Sequence, residues 1–143
     1  MNFRCMLITD YDAVIQLWQN CEGLSLRDAD SLSGIDRYLA RNPGLSFVAV
    51  DGTRIIGSIM AGHDGKRGYI QHLAVDEEFR GLGVASELIG RCLAALKSQG
   101  IEKSHVHVLK DNAVGRRYWS GRGWIERSEV VMYSFINGEN DNA

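Results

Sequence analysis

Residues 69–98 read YIQHLAVDEEFRGLGVASELIGRCLAALKS, and two structural periods meet inside them. Residues 69–75 are rich in strand formers. From residue 84 onward Val84, Ala85, Leu88, Ile89, Cys92, Leu93 and Leu96 fall on one helical face, and Gly100 marks its stop. Between strand and helix lies FRGLGVA (79–85), with two glycines beside an arginine. A helix beginning near Gly83 or Val84 presents unpaired N–H groups and the positive end of its dipole. Small residues at 81, 83 and 85 let an anion come close to those groups. Two familiar phosphate motifs fail here. The run lacks the Gly-Lys-Ser/Thr ending of a Walker loop, and Ala85 stands in place of the third glycine of a dinucleotide fingerprint.

Working outward, FRCMLI (3–8) is a short strand. Thr9 and Asp12 resemble a capping box, and Val14, Leu17, Trp18 and Cys21 recur at helical spacing, predicting a helix over about 10–21. EGLSLRDADSLSG reads as a loop. Leu32, Ile35 and Leu39 indicate a second helix, ended by Asn42-Pro43-Gly44. The period then shortens: SFVAV and IIGSIMAG flank an Asp51-Gly52 turn as a hairpin. SHVHVL (104–109) alternates as a strand, DNAVGRRYWSG carries a short helix, and two last strands are expected within 124–136. NGENDNA (137–143) reads as a frayed polar tail.

The 143 residues suffice for one core, and 45% hydrophobic with 24% charged residues is an ordinary globular balance. A net charge of −2 gives no electrostatic basis for binding nucleic acid. There is no apolar run of the roughly 18 residues that cross a bilayer, and no cleavage site follows MNFRCMLITD, so neither a membrane partner nor a signal peptide is expected. Cys5, Cys21 and Cys92 are odd in number and lack CxxC spacing, which argues for a reducing, cytoplasmic setting without disulfides or structural zinc. His105 and His107 share a strand face but have no third ligand nearby, so no metal is expected.

Arg80-Gly81-Leu82-Gly83-Val84-Ala85 resembles, at every fixed position, the acyl-CoA-binding motif Gln/Arg-x-x-Gly-x-Gly/Ala of the GNAT superfamily of N-acetyltransferases. A second block, Asn112, Tyr118 and Gly123-Trp124, is similar to that family's pattern after its fifth strand. The order of elements agrees over residues 3–136. The resemblance implies a mixed α/β (α+β) fold: a mostly antiparallel twisted sheet of six to seven strands flanked by about four helices, as one domain over 1–136.

It also implies roles. Backbone N–H groups from Arg80 through Gly81, Leu82, Gly83, Val84 and Ala85 would cradle the coenzyme A pyrophosphate, with Ser86 assisting. Leu73, Ala74 and Val75 would pair their backbone with the pantetheine arm. Asn112 would hydrogen-bond that arm, although it equally suits a helix N-cap. Tyr118 would be the general acid for the departing thiolate, against the alternative of a buried tyrosine beside Trp119. His72 has the chemistry of a base or water-ordering group, but Gln71 and His72 alternate across a regular strand, so only one of them would face the site. The activity implied is acetyl transfer from acetyl-CoA to a primary amine by direct attack with both substrates bound. The acceptor stays open among small amines, amino acids and protein N-termini. A non-catalytic acyl-CoA sensor is the competing reading, and homodimers are common in the superfamily.

Overall fold

The computed structural model describes all 143 residues. Five strands, β1 (Asn2–Cys5), β2 (Phe47–Asp51), β3 (Arg54–His63), β4 (Gly68–Val75) and β5 (Ser104–Val106), form one sheet in that order. The first three pairings are antiparallel and β4–β5 is parallel. Helices α1 (Tyr11–Gln19) and α2 (Leu32–Arg41) precede β2, α3 (Val84–Ser98) links β4 to β5, and α4 (Ala113–Gly121) follows β5.

Two apolar layers sandwich the sheet. Val14, Leu17 and Trp18 of α1 and Ile35 of α2 pack with Val48, Met60 and Ala74 on one face. Leu88, Ile89, Cys92 and Leu96 of α3 pack with Phe47, Ile59, Ala61 and Ile70 on the other. The helical stripe read at 84–96 is thus the stripe that α3 buries. Cys92 lies within this layer, where burial pushes its thiol up to about 12 and its Sγ–H donates to the Leu45 carbonyl at 3.1 Å.

The start of α1 differs from the capping box expected at Thr9. A 3₁₀ turn (Ile8–Asp10) leads into the helix, and the Asp10 carboxylate accepts from the Leu7 N–H and from both terminal nitrogens of Arg4 at 2.8 Å. The α2 start is capped by Ser31, whose hydroxyl accepts from the Gly34 N–H.

The C-terminal expectations are corrected. Residues 124–136 join no ladder, so the sheet has five strands rather than six to seven. Val131, Met132, Tyr133 and Phe135 remain exposed, and strand propensity without a packed face does not make a strand. The tail read as frayed is instead docked. The side-chain amides of Asn140 and Asn142 donate to the Asp28 carboxylate at 2.9 and 2.8 Å, and the Asn142 carbonyl accepts from the Asp28 N–H.

Gly90 sits mid-α3 on an exposed face, and a methyl group there would meet no atom within 4 Å. Gly90→Ala should stabilise the fold by about 0.5–1 kcal/mol, because only the backbone-entropy cost of glycine is removed. Chemical denaturation checks this; a lower midpoint would contradict the open surroundings of that position.

Candidate active site

β4 pairs with β5 only from Gly68 to Ile70, yet β4 runs on to Val75. Residues 71–75 therefore keep one backbone edge free while β3 holds the other. Leu73 and Val75 pack toward the α3 layer and Ala74 toward α1, so the edge lies between two filled faces.

Directly after β4, Asp76 caps a 3₁₀ turn (Glu77–Phe79) and the chain enters α3 through Gly81 and Gly83. Both glycines have positive φ, 77° and 83°, and a Cβ at either would meet nothing within 4 Å. Backbone conformation, rather than crowding, is what calls for glycine there. Gly83 offers no side-chain cap, and the first helical bond of α3 runs from the Glu87 N–H to the Gly83 carbonyl. The N–H groups of Val84, Ala85 and Ser86 therefore lack intrahelical acceptors. Arg80 differs from its implied role in two respects. Its N–H donates to the Glu77 carbonyl at 3.3 Å, and its Nε–H donates to the Val75 carbonyl at 3.2 Å, tying the loop to the end of β4.

Asn112 is the N-cap of α4, its Oδ1 accepting from the Gly115 N–H at 3.0 Å. Its amide nitrogen makes no hydrogen bond within the chain and lies against Gly23 in the α1–α2 connection. Tyr118, one and a half turns along α4, packs in the same apolar cluster as Leu73, Val75 and Val108. Its hydroxyl is buried and makes no hydrogen bond of good geometry, with the Arg122 guanidinium approaching it loosely. Burial pushes the phenol upward, opposed by the Arg122 guanidinium 4.8 Å from the ring centroid. A buried hydroxyl left unpaired is uncommon and calls for a missing partner.

His72 sits at a fault in the sheet. Ser58 pairs with Ala74 and Met60 with Gln71, so Ile59 alone opposes both His72 and Leu73. His72 takes φ 52°, making it the one non-glycine residue with positive φ. This β-bulge corrects the alternation argument. Gln71 and His72 both reach the α1–α2 face, Gln71 Nε2 donating to the Tyr38 hydroxyl at 3.3 Å and His72 Nε2 meeting Asp30 Oδ1 at 2.7 Å. Trp18 packs on the imidazole at 4.6 Å between centroids and donates from Nε1 to Ser58 Oγ at 2.8 Å. The loop read between α1 and α2 contains a 3₁₀ turn (Asp28–Asp30) that supplies this carboxylate. Asp30, Asp28, Tyr38, Arg41, Met60 and Gln71 belong to the lining of a cavity of about 570 Å³ over this face.

Sequence alone places Trp18 in a helical stripe and Asp30 in an acidic connection whose charge would suit a cationic amine; it shows neither residue's contact with His72 and no role for Arg122. Asp30 stands 42 positions from His72, and its only local signal was an acidic loop. Arg116 of α4 pairs with Glu126 at 2.6 Å. No helix is long and apolar enough to cross a membrane.

The profile of the acetyltransferase (GNAT) family matches residues 11–124. A Pectobacterium atrosepticum protein named an acetyltransferase is 39% identical over 112 residues, which span 78% of this chain and 79% of that protein. Among solved structures, the aminoglycoside 6′-N-acetyltransferase AAC(6′)-Ig of Acinetobacter haemolyticus has the same fold, with a TM-score of 0.76 at 19% identity over 96% of this chain and 100% of that one. A Clostridium acetobutylicum protein described as an acetyltransferase and solved with acetyl-CoA gives 0.74 at 19% identity, over 93% and 95%. Family match and relatives agree along most of the sequence, and the chain belongs to the acetyltransferase (GNAT) family.

Proposed function

We propose that this protein transfers an acetyl group from acetyl-CoA to a primary amine, with Tyr118 as general acid and His72 as proton acceptor. The observation that carries the reading is the buried Tyr118 hydroxyl without a well-formed hydrogen bond, in a chain that also leaves the 71–75 edge of β4 unpaired and enters α3 through a glycine turn with free N–H groups. Acetyl-CoA, when bound, supplies the thioester whose C–S bond breaks as the amine nitrogen bonds the acetyl carbon.

The residues divide the work by position. Leu73, Ala74 and Val75 offer the free backbone edge to the pantetheine amides. The N–H groups of Gly81, Leu82, Gly83, Val84 and Ala85 hold the pyrophosphate, Ser86 adds a hydroxyl, and Arg80 fixes the loop rather than contributing its own N–H. Asn112 keeps α4 in place through Oδ1 and presents Nδ2 as a donor. A phenol is protonated near neutral pH, burial raises its pKa further, and it holds the proton that sulfur takes on leaving. His72 removes the proton that an ammonium acceptor must lose before it becomes nucleophilic. The cavity beside Asp30, Tyr38 and Gln71 receives the acceptor amine.

Acetyl-CoA at about 100 times its Kd should raise the melting temperature by roughly 5–10 °C for a chain of this length. Release of free thiol should then depend on one member of a panel of polyamines, amino acids, aminoglycosides and peptides. An unchanged melting temperature at millimolar acetyl-CoA would overturn the cofactor assignment. A shift without amine-dependent thiol release would leave only a binding domain.

A further inference from the structure

The structure assigns Asp30 as the positioning residue for His72: its carboxylate pins the imidazole through Nε2 and leaves Nδ1 as the atom that takes the acceptor's proton. The inference rests on the proposed acetyl transfer for its kinetic meaning, but its geometric half stands on the free protein.

Three observations carry it. First, the 2.7 Å contact joins two nearly buried groups, with side chains 11% and 13% exposed. Burial pushes the Asp30 carboxyl up, but hydrogen bonds from His72 and from the Arg27 N–H at 3.0 Å outweigh it and hold the acid below the ordinary carboxylate range. An ionised carboxylate only accepts, so His72 Nε2 must be the donor. Second, Nδ1 makes no hydrogen bond, yet it is not among the buried unpartnered atoms, so it keeps contact with solvent. With Nε2–H committed to Asp30, Nδ1 carries the free lone pair of the ring. Third, the surroundings over-determine the ring. The bulge sets its backbone at φ 52°, Trp18 covers one face, and Ser58 Oγ, which accepts from Trp18, donates to the His72 carbonyl at 3.4 Å. A strained backbone persists only where its environment enforces it, and such positions gather at functional sites.

The carboxylate is itself anchored. Tyr11 of α1 donates from its hydroxyl to the Asp30 carbonyl at 2.8 Å, fixing the turn against the helix. Asp28, the other acid of that turn, is occupied by Asn140 and Asn142, so it does not compete for the imidazole. Two protons leave the nitrogen. The acceptor ammonium gives the first to Nδ1, the imidazolium is stabilised by Asp30, and Nδ1 returns it to solvent; the second, shed once the C–N bond has formed, replaces through solvent the proton that Tyr118 gives to sulfur.

Asp30 acts through another side chain, which yields a test that a structural role would not pass. Asp30→Ala should lower kcat on the order of 10²-fold, the scale of a misplaced reacting group, with KM for acetyl-CoA within twofold. His72→Ala should lower kcat at least as much, and Asp30→Ala added to His72→Ala should cost nothing further. Equal losses from Asp30→Ala in both backgrounds would overturn the assignment. Proton NMR of the wild type without ligand supplies a second reading that no variant's folding can spoil. The His72 Nε2–H resonance should be downfield and slow to exchange, and a fast-exchanging Nε2–H would overturn the pinning. Failure of the wild type to turn over acetyl-CoA with any amine is a different result: it sinks the proposed function, while the resonance still reports on the dyad.

Discussion

Tyr118→Phe should reduce kcat by about 10²–10⁴-fold, the range for losing a general acid, without lowering the melting temperature. The combination is unusual and follows from one atom. Removing a buried tyrosine hydroxyl ordinarily costs the hydrogen bond it made, about 1 kcal/mol net. Here the hydroxyl makes no bond of good geometry, only a loose approach by the Arg122 guanidinium, and a buried polar group left so poorly paired costs about 1–3 kcal/mol in the folded state. Phenylalanine keeps the ring's packing against the core and Trp119 and its contact with Arg122, so the variant should be as stable as the wild type or more so. KM for acetyl-CoA should stay within twofold, since the backbone edge and the glycine turn are untouched. Steady-state kinetics and a thermal melt decide together. A kcat within twofold of wild type would remove the general-acid role; a destabilised variant would mean that the hydroxyl has a structural partner.

Gly83→Val should raise the Kd for coenzyme A on the order of 10²-fold. At φ 83° a β-branched residue is strained, at about 1–3 kcal/mol, and relieving that strain rotates the first N–H groups of α3 away from their common direction. Each hydrogen bond to a charged group contributes about 1.5–3 kcal/mol, so losing one or two gives the stated factor. The added side chain enters open space, so the core is not disturbed. Gly90→Ala on the same helix serves as the control that leaves affinity unchanged. Calorimetric titration with coenzyme A is the measurement. Affinity within twofold of wild type would place the pyrophosphate elsewhere.

What the sequence made legible is local. The step from strand to helical period at 75–84 located β4, the turn and α3; the sequence suggested glycine there for the close approach of an anion, and the positive φ of Gly81 and Gly83 supplies a backbone reason beside it. Asn112 and Tyr118 lie on one short helix, so their spacing carried over as well. What stayed hidden depends on distant pairing. The bulge at His72 exists only as a register between β3 and β4, and a single strand cannot show it. Asp30 reaches His72 through the docking of a 3₁₀ turn that the loop's composition does not announce. The stretch 130–136 erred the other way: Val130, Val131, Tyr133 and Phe135 have strong strand propensity, but propensity is realised by packing and these side chains stay exposed. Asn140 and Asn142 read as tail polarity, and their role became visible only with Asp28 opposite them.

The free edge of β4 and the turn into α3 are surfaces of main chain, and that has a consequence for how such a protein can diverge. On the proposed reading, substitutions at Leu73, Val75 or Val84 alter packing but keep the backbone N–H and carbonyl groups in line, so the donor half of the site goes with the fold rather than with particular side chains. The half around Asp30, Tyr38 and Gln71 is built of side chains on a connection and a helix, and each of them is replaceable singly. Drift is thereby channelled: on the proposed reading, the recipient can change a residue at a time while the donor half stays with the backbone.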